Sequence, residues 1–111
     1  MVVDDERILR DLLERSLVRA GYRVHVASNG HEALAIFAEC PIHLVLADGR
    51  MPGMDGFELC EALRQQSDLP IIMITSLDNP DEVIHGFMAG ADDYITKPFQ
   101  FRDVETRIAS L

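Results

Sequence analysis

Short runs of β-branched and aliphatic residues recur along the chain, separated by longer stretches in which apolar residues return every three or four positions. Runs of the first kind predict strands, and stretches of the second kind predict amphipathic helices. The five predicted strands are Met1–Val3, Arg23–Val26, Leu44–Ala47, Ile71–Ile74 and Tyr94–Thr96. A helical stretch follows each of them, so strand and helix alternate along the whole chain.

The predicted helices carry recognisable end signals. An Asn or Asp stands three residues before a Glu, the spacing of an N-cap and its N3 partner, at two helix starts: Asn29 with Glu32, and Asp55 with Glu58. At residues 79–82 a capping Asn precedes a Pro at the first helical position and two acids that face the positive end of the helix dipole. Gly21 and Gly90 are suited to end helices.

Nearly continuous apolar strands that alternate with helices are typical of a parallel sheet covered by helices on both faces. The pattern therefore predicts an α/β fold with a doubly wound, five-stranded parallel sheet and five helices. In such folds ligands bind beyond the carboxyl ends of the strands, where the strand order reverses. Polar residues at those strand ends are the first candidates for function.

Composition narrows the class of protein. The length of 111 residues suits one domain, and 48% hydrophobic with 26% charged residues is typical of a soluble globular one. With 19 acidic and 10 basic residues and a net charge of -9, the chain is poorly suited to bind nucleic acid or an anionic membrane surface. Since no apolar run approaches about 20 residues, we expect no membrane segment and a cytoplasmic location.

Four predicted strands end in a residue that can join a common site: Asp4 and Asp5 after the first, Asp48 after the third, Thr75 after the fourth and Lys97 after the fifth. A single acid after a strand is by default a helix cap or a turn residue. Five such residues at one sheet edge favour a shared site instead. Three neighbouring carboxylates repel one another unless a cation neutralises them, and oxygen ligands combined with phosphate suit Mg²⁺ or Mn²⁺.

Four motifs occur in order: Val2-Val3-Asp4-Asp5-Glu6, Leu46-Ala47-Asp48 followed by Met51-Pro52-Gly53-Met54-Asp55-Gly56, Ile74-Thr75-Ser76, and Tyr94-Ile95-Thr96-Lys97-Pro98-Phe99. In this combination the chain resembles the receiver domains of two-component response regulators over residues 1–111. The resemblance implies a flavodoxin-like fold with strand order 2-1-3-4-5. Because the first strand is short and the last helix ends early, we expect the receiver domain to be the N-terminal module of a longer protein.

The resemblance also implies the roles of the acids. Asp48 would accept a phosphoryl group from a sensor histidine kinase or a histidine phosphotransfer protein. Asp5, Asp48 and the backbone carbonyl of Arg50 would bind Mg²⁺ or Mn²⁺ directly, and Asp4 would bind it through water. An aspartate can form an acyl phosphate in this way when a cation screens the negative charges.

By the same resemblance, Lys97 would pair with Asp48 before the reaction and with a phosphoryl oxygen afterwards, while the Thr75 hydroxyl would bind another phosphoryl oxygen. Thr75 would be coupled to Tyr94, changing a face formed by the fourth helix, fifth strand and fifth helix. That face would act on an output domain or target protein, and a phosphorylation-dependent homodimer is one form of this output. The Lys97–Pro98 peptide bond would be cis. The domain would catalyse only its own phosphorylation and dephosphorylation.

Two positions depart from the family pattern. Gly49 stands where a larger apolar residue is common, and Arg50 occupies a position that modulates hydrolysis of the acyl phosphate. Our hypothesis is that Arg50 and Ser76 crowd the phosphoryl group and lengthen the lifetime of the acyl phosphate.

Other classes of protein remain as alternatives. A phosphorylation-independent interaction module of the same fold typically lacks one of the acids, the Thr or the Lys, and none is missing here. An FMN-binding flavodoxin would need a phosphate-binding loop rich in Ser or Thr in place of Asp4-Asp5. An aspartyl phosphohydrolase would need a second Asp at position 50, where Arg50 stands. The receiver domain fits the residues best.

Overall fold

The computed structural model describes residues 1–76 and 80–111. Strands and helices alternate along these residues, as the hydrophobic pattern predicts. In chain order they are β1 (Val2–Val3), α1 (Arg7–Arg19), β2 (Val26–Ala27), α2 (Gly30–Glu39), β3 (Val45–Asp48), α3 (Gly56–Arg64), β4 (Ile71–Ser76), α4 (Pro80–Ala89), β5 (Asp93–Lys97) and α5 (Phe101–Ala109).

The five strands form one parallel sheet in the order β2-β1-β3-β4-β5. This confirms the doubly wound, flavodoxin-like fold and its order 2-1-3-4-5. The chain steps outward from β1 to β2 and then returns to place β3 on the other side of β1. The strand order therefore reverses between β1 and β3, which is where open α/β sheets generally bind ligands, beyond the carboxyl ends of the strands. Asp4 follows β1 at this point, and Asp48 is the last residue of β3.

Alternate residues of the strands pack against opposite helical layers. Val2, Leu46, Ile72, Ile74 and Ile95 point to the layer of α1 and α5, where they pack with Leu13, Leu17 and Val104. Val3, Val45, Ala47, Ile71 and Met73 point to the layer of α2, α3 and α4, where they pack with Ala33, Leu59, Leu63 and Ala89. A core on each face fixes the register of the sheet, because a slip of one residue would exchange the two layers.

Both predicted capping pairs are confirmed. The Asn29 side chain accepts a hydrogen bond from the Glu32 N–H at 2.8 Å and begins α2. Asp55 accepts from the Glu58 N–H at 2.9 Å, and the Glu58 carboxylate accepts from the Asp55 N–H at 3.4 Å, which makes a complete capping box at the start of α3. Since α3 begins just after the loop that follows Asp48, this box also fixes the far end of that loop.

The other helix signals are confirmed where the structure describes them. Pro80 is the first residue of α4, whereas the predicted capping residue Asn79 lies outside the described residues. Gly21 and Gly90 follow the ends of α1 and α4 with φ angles of 101° and 107°. Only glycine adopts such angles without strain, so both residues end their helices in the predicted way.

The strand bounds differ from the prediction by one to three residues at several ends, most clearly in β2 and at the carboxyl ends of β3, β4 and β5. β2 is Val26–Ala27 rather than Arg23–Val26, because it is an edge strand that pairs only with the two residues of β1. At their carboxyl ends β3, β4 and β5 run further than predicted, and the paired residues include Asp48, Thr75 and Lys97. The backbones of these three residues therefore belong to the sheet. The sheet holds their side chains more rigidly than a loop after the strand would.

Gly56 lets the start of α3 approach the end of β3. Its N–H donates a hydrogen bond to the Gly49 carbonyl at 3.2 Å. A Cβ at position 56 would collide with the backbone carbonyl of Asp48 and lie 2.8 Å from Cε of Met73. A residue larger than glycine would therefore push α3 away from the strand that carries Asp48.

We expect Gly56→Ala to lower the free energy of unfolding by about 1–3 kcal/mol, because the added methyl overpacks a backbone contact. Gly86→Ala in α4 is the matched control, since its Cβ would meet its nearest neighbours at 3.6 Å. Removing a glycine from a helix there should raise stability by about 0.5–1 kcal/mol. Urea denaturation of both variants measures the difference, and equal stabilities would contradict the role of Gly56.

Candidate functional site

Three carboxylates meet beyond β1 and β3. Asp4, Asp5 and Asp48 can each place one oxygen within 4.8 Å of the others. Asp4 is completely buried, Asp48 is 6% exposed, and Asp5 is exposed to solvent. One Asp4 oxygen accepts the Glu6 N–H at 2.8 Å, and the other is buried without a hydrogen-bond partner among the described residues. An unpaired buried carboxylate oxygen next to two further acids fits a site for a cation with oxygen ligands.

The environment of Asp4 disfavours its ionised form. Burial raises the pKa of Asp4 from its ordinary value of 3.8 to about 6. The hydrogen bond from the Glu6 N–H opposes this rise, while the negative charge of Asp48 adds to it. In the metal-free protein, Asp4 therefore holds a proton more readily than an exposed aspartate does. A divalent cation among these acids would favour the ionised form.

Asp48 is held from two sides. The Lys97 ammonium donates a hydrogen bond to Oδ2 of Asp48 at 2.9 Å, and the Arg50 N–H donates to Oδ1 at 3.0 Å. Burial lowers the pKa of Lys97, but the hydrogen bond and the charge of Asp48 outweigh this effect, and the pKa is raised. Lys97 therefore stays protonated beside the carboxylate. The Lys97–Pro98 peptide bond that follows is cis, as the resemblance implies.

Thr75 and Tyr94 lie on the side of α4 that faces the sheet. Thr75 is 2% exposed, and its hydroxyl has no hydrogen-bond partner among the described residues. Tyr94 is half-buried and packs edge-to-face on Phe87 of α4, with ring centroids 5.4 Å apart. Both side chains line one narrow crevice beneath α4. The structure thus brings the two predicted switch residues to the same space.

The predicted site residues therefore fall into two groups, the acids with Lys97 and the pair of Thr75 with Tyr94. Asp4, Asp5, Asp48 and Lys97 form one connected cluster. Arg50 joins it through its backbone N–H, whereas its side chain points elsewhere and forms an ion pair with Glu82 of α4. The sequence does not reveal this role of Glu82, because an acid in the first turn of a helix is by default a partner of the helix dipole.

Phe57 explains the unusual Gly49. A Cβ at position 49 would lie 2.9 Å from Cζ of the Phe57 ring. That ring is 5% exposed and stacks on His85 with ring centroids 4.2 Å apart. Phe57 thus fills the space into which a larger side chain at position 49 would extend.

The comparisons with known proteins agree with this fold. Residues 1–109 match the model of the response regulator receiver domain family. The chain is 48% identical over all of its 111 residues to the "Probable transcriptional regulator ycf27" of Porphyra purpurea, of which it covers 46%. Among solved structures, it matches Vibrio cholerae chemotaxis protein CheY4 with a TM-score of 0.92 and 33% identity over 98% of this chain and 93% of that one.

A second solved structure, a two-component system response regulator/GGDEF domain protein, matches with a TM-score of 0.92 and 34% identity over 98% of this chain and 46% of that one. The chain belongs to the response regulator receiver domain family of two-component systems. It spans about half the length of the curated relatives it matches.

Receiver domains generally bind Mg²⁺ through an acidic pocket, and in this chain Asp4, Asp5 and Asp48 form an acidic cluster. None of the helices in the described part of the chain is both long and apolar enough to cross a membrane.

The raised pKa of Asp4 leads to a prediction for the metal-free protein. As the pH rises from about 4 to about 6, the unfolded chain releases the Asp4 proton first, so the free energy of unfolding should fall by up to roughly 3 kcal/mol. Above about pH 6, Asp4 is ionised in the folded and the unfolded chain, and the free energy of unfolding is lowered by the full amount. Urea denaturation in EDTA across this range, compared with Asp4→Asn, isolates the effect. Parallel pH profiles for the two proteins would contradict it.

Proposed function

We propose that this receiver domain takes a phosphoryl group onto Asp48 from a sensor histidine kinase or a histidine phosphotransfer protein, in a reaction that requires Mg²⁺ or Mn²⁺. The observation that carries the proposal is the position of Asp48, which is in contact with Lys97 on one oxygen and close to Asp4 and Asp5. A carboxylate held beside a protonated amine and two further acids suits a nucleophile that reacts in the presence of a divalent cation.

The chemistry follows from these contacts. An Asp48 oxygen attacks the phosphorus of the phosphohistidine donor, a phosphorus–oxygen bond forms, and the phosphorus–nitrogen bond breaks with its electron pair left on the imidazole. Lys97, already 2.9 Å from Asp48 and positively charged, is placed to hold a phosphoryl oxygen in the transition state and in the product. The sheet ladder fixes Asp48 and Lys97, so little motion is needed before attack.

Asp5, Asp48 and the backbone carbonyl of Arg50 would hold the cation directly, and Asp4 would hold it through water. When bound, the cation supplies charge neutralisation for the carboxylates and for the incoming phosphoryl oxygens. The unpaired buried oxygen of Asp4 supports this assignment, because a bound water or cation would satisfy it.

The readout of phosphorylation uses Thr75 and Tyr94. The Thr75 hydroxyl lacks a partner among the described residues, and Thr75 pairs with Thr96, the residue directly before Lys97. It can donate a hydrogen bond to a phosphoryl oxygen. Its displacement would alter the crevice that it shares with Tyr94, and through it the face of α4, β5 and α5.

We propose that this face passes the signal to an output domain or target protein, with phosphorylation-dependent homodimerisation as one form of output. The domain would then be the N-terminal module of a longer cytoplasmic regulator. Support comes from the curated relatives, which are about twice as long as the chain and are described as transcriptional regulators, and from the match to a GGDEF domain protein. Its only catalysis would be its own phosphorylation and dephosphorylation.

Intact-mass analysis after incubation with acetyl phosphate and Mg²⁺ tests the phosphoacceptor. We expect a gain of one phosphoryl group, lost in Asp48→Asn and in EDTA, because both changes remove a part of the reaction described above. Asp68→Asn, an exposed acid outside the site, should gain it normally. A folded wild-type protein that gains no phosphoryl group would favour a phosphorylation-independent interaction module instead.

Direct titration with Mn²⁺ tests the metal site without any phosphorylation. We expect Asp5→Asn to weaken Mn²⁺ binding by tenfold or more, since changes in groups that only orient metal ligands already cost about 10–100-fold. Glu6→Gln, which removes the same charge from the neighbouring exposed residue, is the control and should bind nearly as the wild type does. Equal losses in the two variants would mean that general charge, and not ligation, attracts the ion.

A further inference from the structure

The backbone carbonyl of Asp4 is held by a side chain from α1. Nη1 of Arg10 donates a hydrogen bond to that carbonyl oxygen at 2.9 Å. Arg10 lies near the start of α1, where its own N–H donates to the Glu6 carbonyl at 3.0 Å. Side chains of a helix lean toward its N-terminus, so an arginine at this position reaches back over the loop that precedes the helix. The helix thus contacts the strand end at which the acidic cluster begins.

The contact with Arg10 completes the hydrogen bonding of the Asp4 backbone. The Asp4 N–H donates to the Ala27 carbonyl of β2 at 3.1 Å, and one oxygen of the Asp4 carboxylate accepts the Glu6 N–H at 2.8 Å. Because Asp4 is completely buried, its carbonyl also needs a donor from the protein. The Arg10 guanidinium supplies that donor, so the peptide group after Asp4 is held in one orientation.

The next residue, Asp5, depends on this peptide group for its position. The Asp5 side chain is exposed, and no residue in the described ranges donates a hydrogen bond to its carboxylate. The peptide group that joins Asp4 to Asp5 is planar, so a fixed carbonyl oxygen also fixes the point from which the Asp5 side chain extends. The Asp5 carboxylate therefore takes its position from the backbone, and Arg10 holds the part of the backbone that comes from β1.

We propose that Arg10 is a positioning residue of the cation site: its hydrogen bond to the Asp4 carbonyl orients the peptide group that presents the Asp5 carboxylate to Mg²⁺ or Mn²⁺. The inference rests on the proposed cation site of Asp4, Asp5 and Asp48. Arg10 acts through the backbone and is not itself a ligand, because a guanidinium has no lone pair to offer to a cation.

The positive charge of Arg10 separates this role from a general electrostatic one. A guanidinium repels a nearby divalent cation, so removal of the charge alone would tighten cation binding. Loss of the hydrogen bond would weaken binding, because the Asp5 carboxylate would less often have the orientation that binds. Groups that orient metal ligands typically contribute about 10–100-fold to metal affinity. The two effects therefore differ in direction and not only in size.

Direct Mn²⁺ titration of Arg10→Met distinguishes the two effects. The substitution keeps an unbranched apolar side chain and removes every donor, and we expect the Kd for Mn²⁺ to rise about tenfold. Arg7→Met is the matched control, since it removes the same charge one turn away, from a side chain that is 84% exposed. Its Kd should stay near that of the wild type. An Arg10→Met protein that binds Mn²⁺ as tightly as the wild type, or more tightly, would overturn the positioning role.

The Mg²⁺ dependence of phosphorylation by acetyl phosphate gives a readout that a general loosening of the fold would not. Arg10→Met should need about tenfold more Mg²⁺ for half of its maximal rate. The maximal rate at saturating Mg²⁺ should stay near that of the wild type, because the sheet holds Asp48 and Lys97 in both proteins. A lowered maximal rate with an unchanged Mg²⁺ requirement would contradict the positioning role.

Asp5→Asn keeps the failure of this inference apart from the failure of the proposed function. If the wild type binds no Mn²⁺, the proposed cation site is wrong and the role of Arg10 falls with it. If Asp5→Asn loses Mn²⁺ binding while Arg10→Met keeps it, the cation site stands and only the role of Arg10 is overturned.

Amide hydrogen exchange in the metal-free protein tests the same contact without any ligand. Arg10→Met should speed exchange of the Glu6 N–H, which Asp4 holds, and leave β3 and β5 unchanged. If Arg10→Met does not fold, Arg10→Gln carries all of these measurements, because its shorter polar side chain ends before the position of the guanidinium. Unchanged exchange at Glu6 in the folded variant would overturn the proposal.

Discussion

Repulsion among three carboxylates at one end of the sheet is the constraint on which the site depends. The strand order places Asp4 and Asp48 at neighbouring strand ends, and the chain adds Asp5 beside them. Burial denies Asp4 the water that would otherwise screen its charge, and its pKa rises to about 6 as a result. Lys97 offsets part of this repulsion by its contact with Asp48. A folded chain that keeps such a cluster favours the approach of positive charge to the carboxylates.

The sheet holds this cluster in place through backbone contacts. Asp48 and Lys97 are paired ladder residues, so their side chains start from fixed positions. Gly56 lets α3 pack directly against the carbonyl of Asp48, and the Phe57 ring fills the space beside Gly49. Arg50 is different, because its guanidinium extends from a loop and is mostly exposed. The site therefore combines groups that the sheet holds in place with one side chain that extends from a loop.

Much of this could be predicted from the sequence, and what could not has identifiable causes. Hydrophobic periodicity predicted the alternation of strands and helices, and the local spacing of Asp55 and Glu58 predicted the start of α3, because both signals act over a few residues. The bounds of β2 were wrong because an edge strand is defined by its partner. The pairing of Glu82 with Arg50 joins residues 32 apart, and no local pattern encodes such a contact. The motifs brought the acids together, but the complete burial of Asp4 is a property of the folded packing.

The two cations near Asp48 differ in what holds them, and this difference determines what each can do. Lys97 belongs to β5 and contacts the acceptor carboxylate itself, so its charge acts on Asp48 and would act on a phosphoryl group in nearly the same position. The Arg50 guanidinium forms an ion pair with Glu82, which α4 carries. A phosphoryl group on Asp48 that attracts Lys97 would strengthen a contact that the sheet already holds. That contact would stabilise the product without moving the fold, so a link from the charge on Asp48 to the position of α4 would have to pass through Thr75 and Tyr94, which line the crevice beneath that helix.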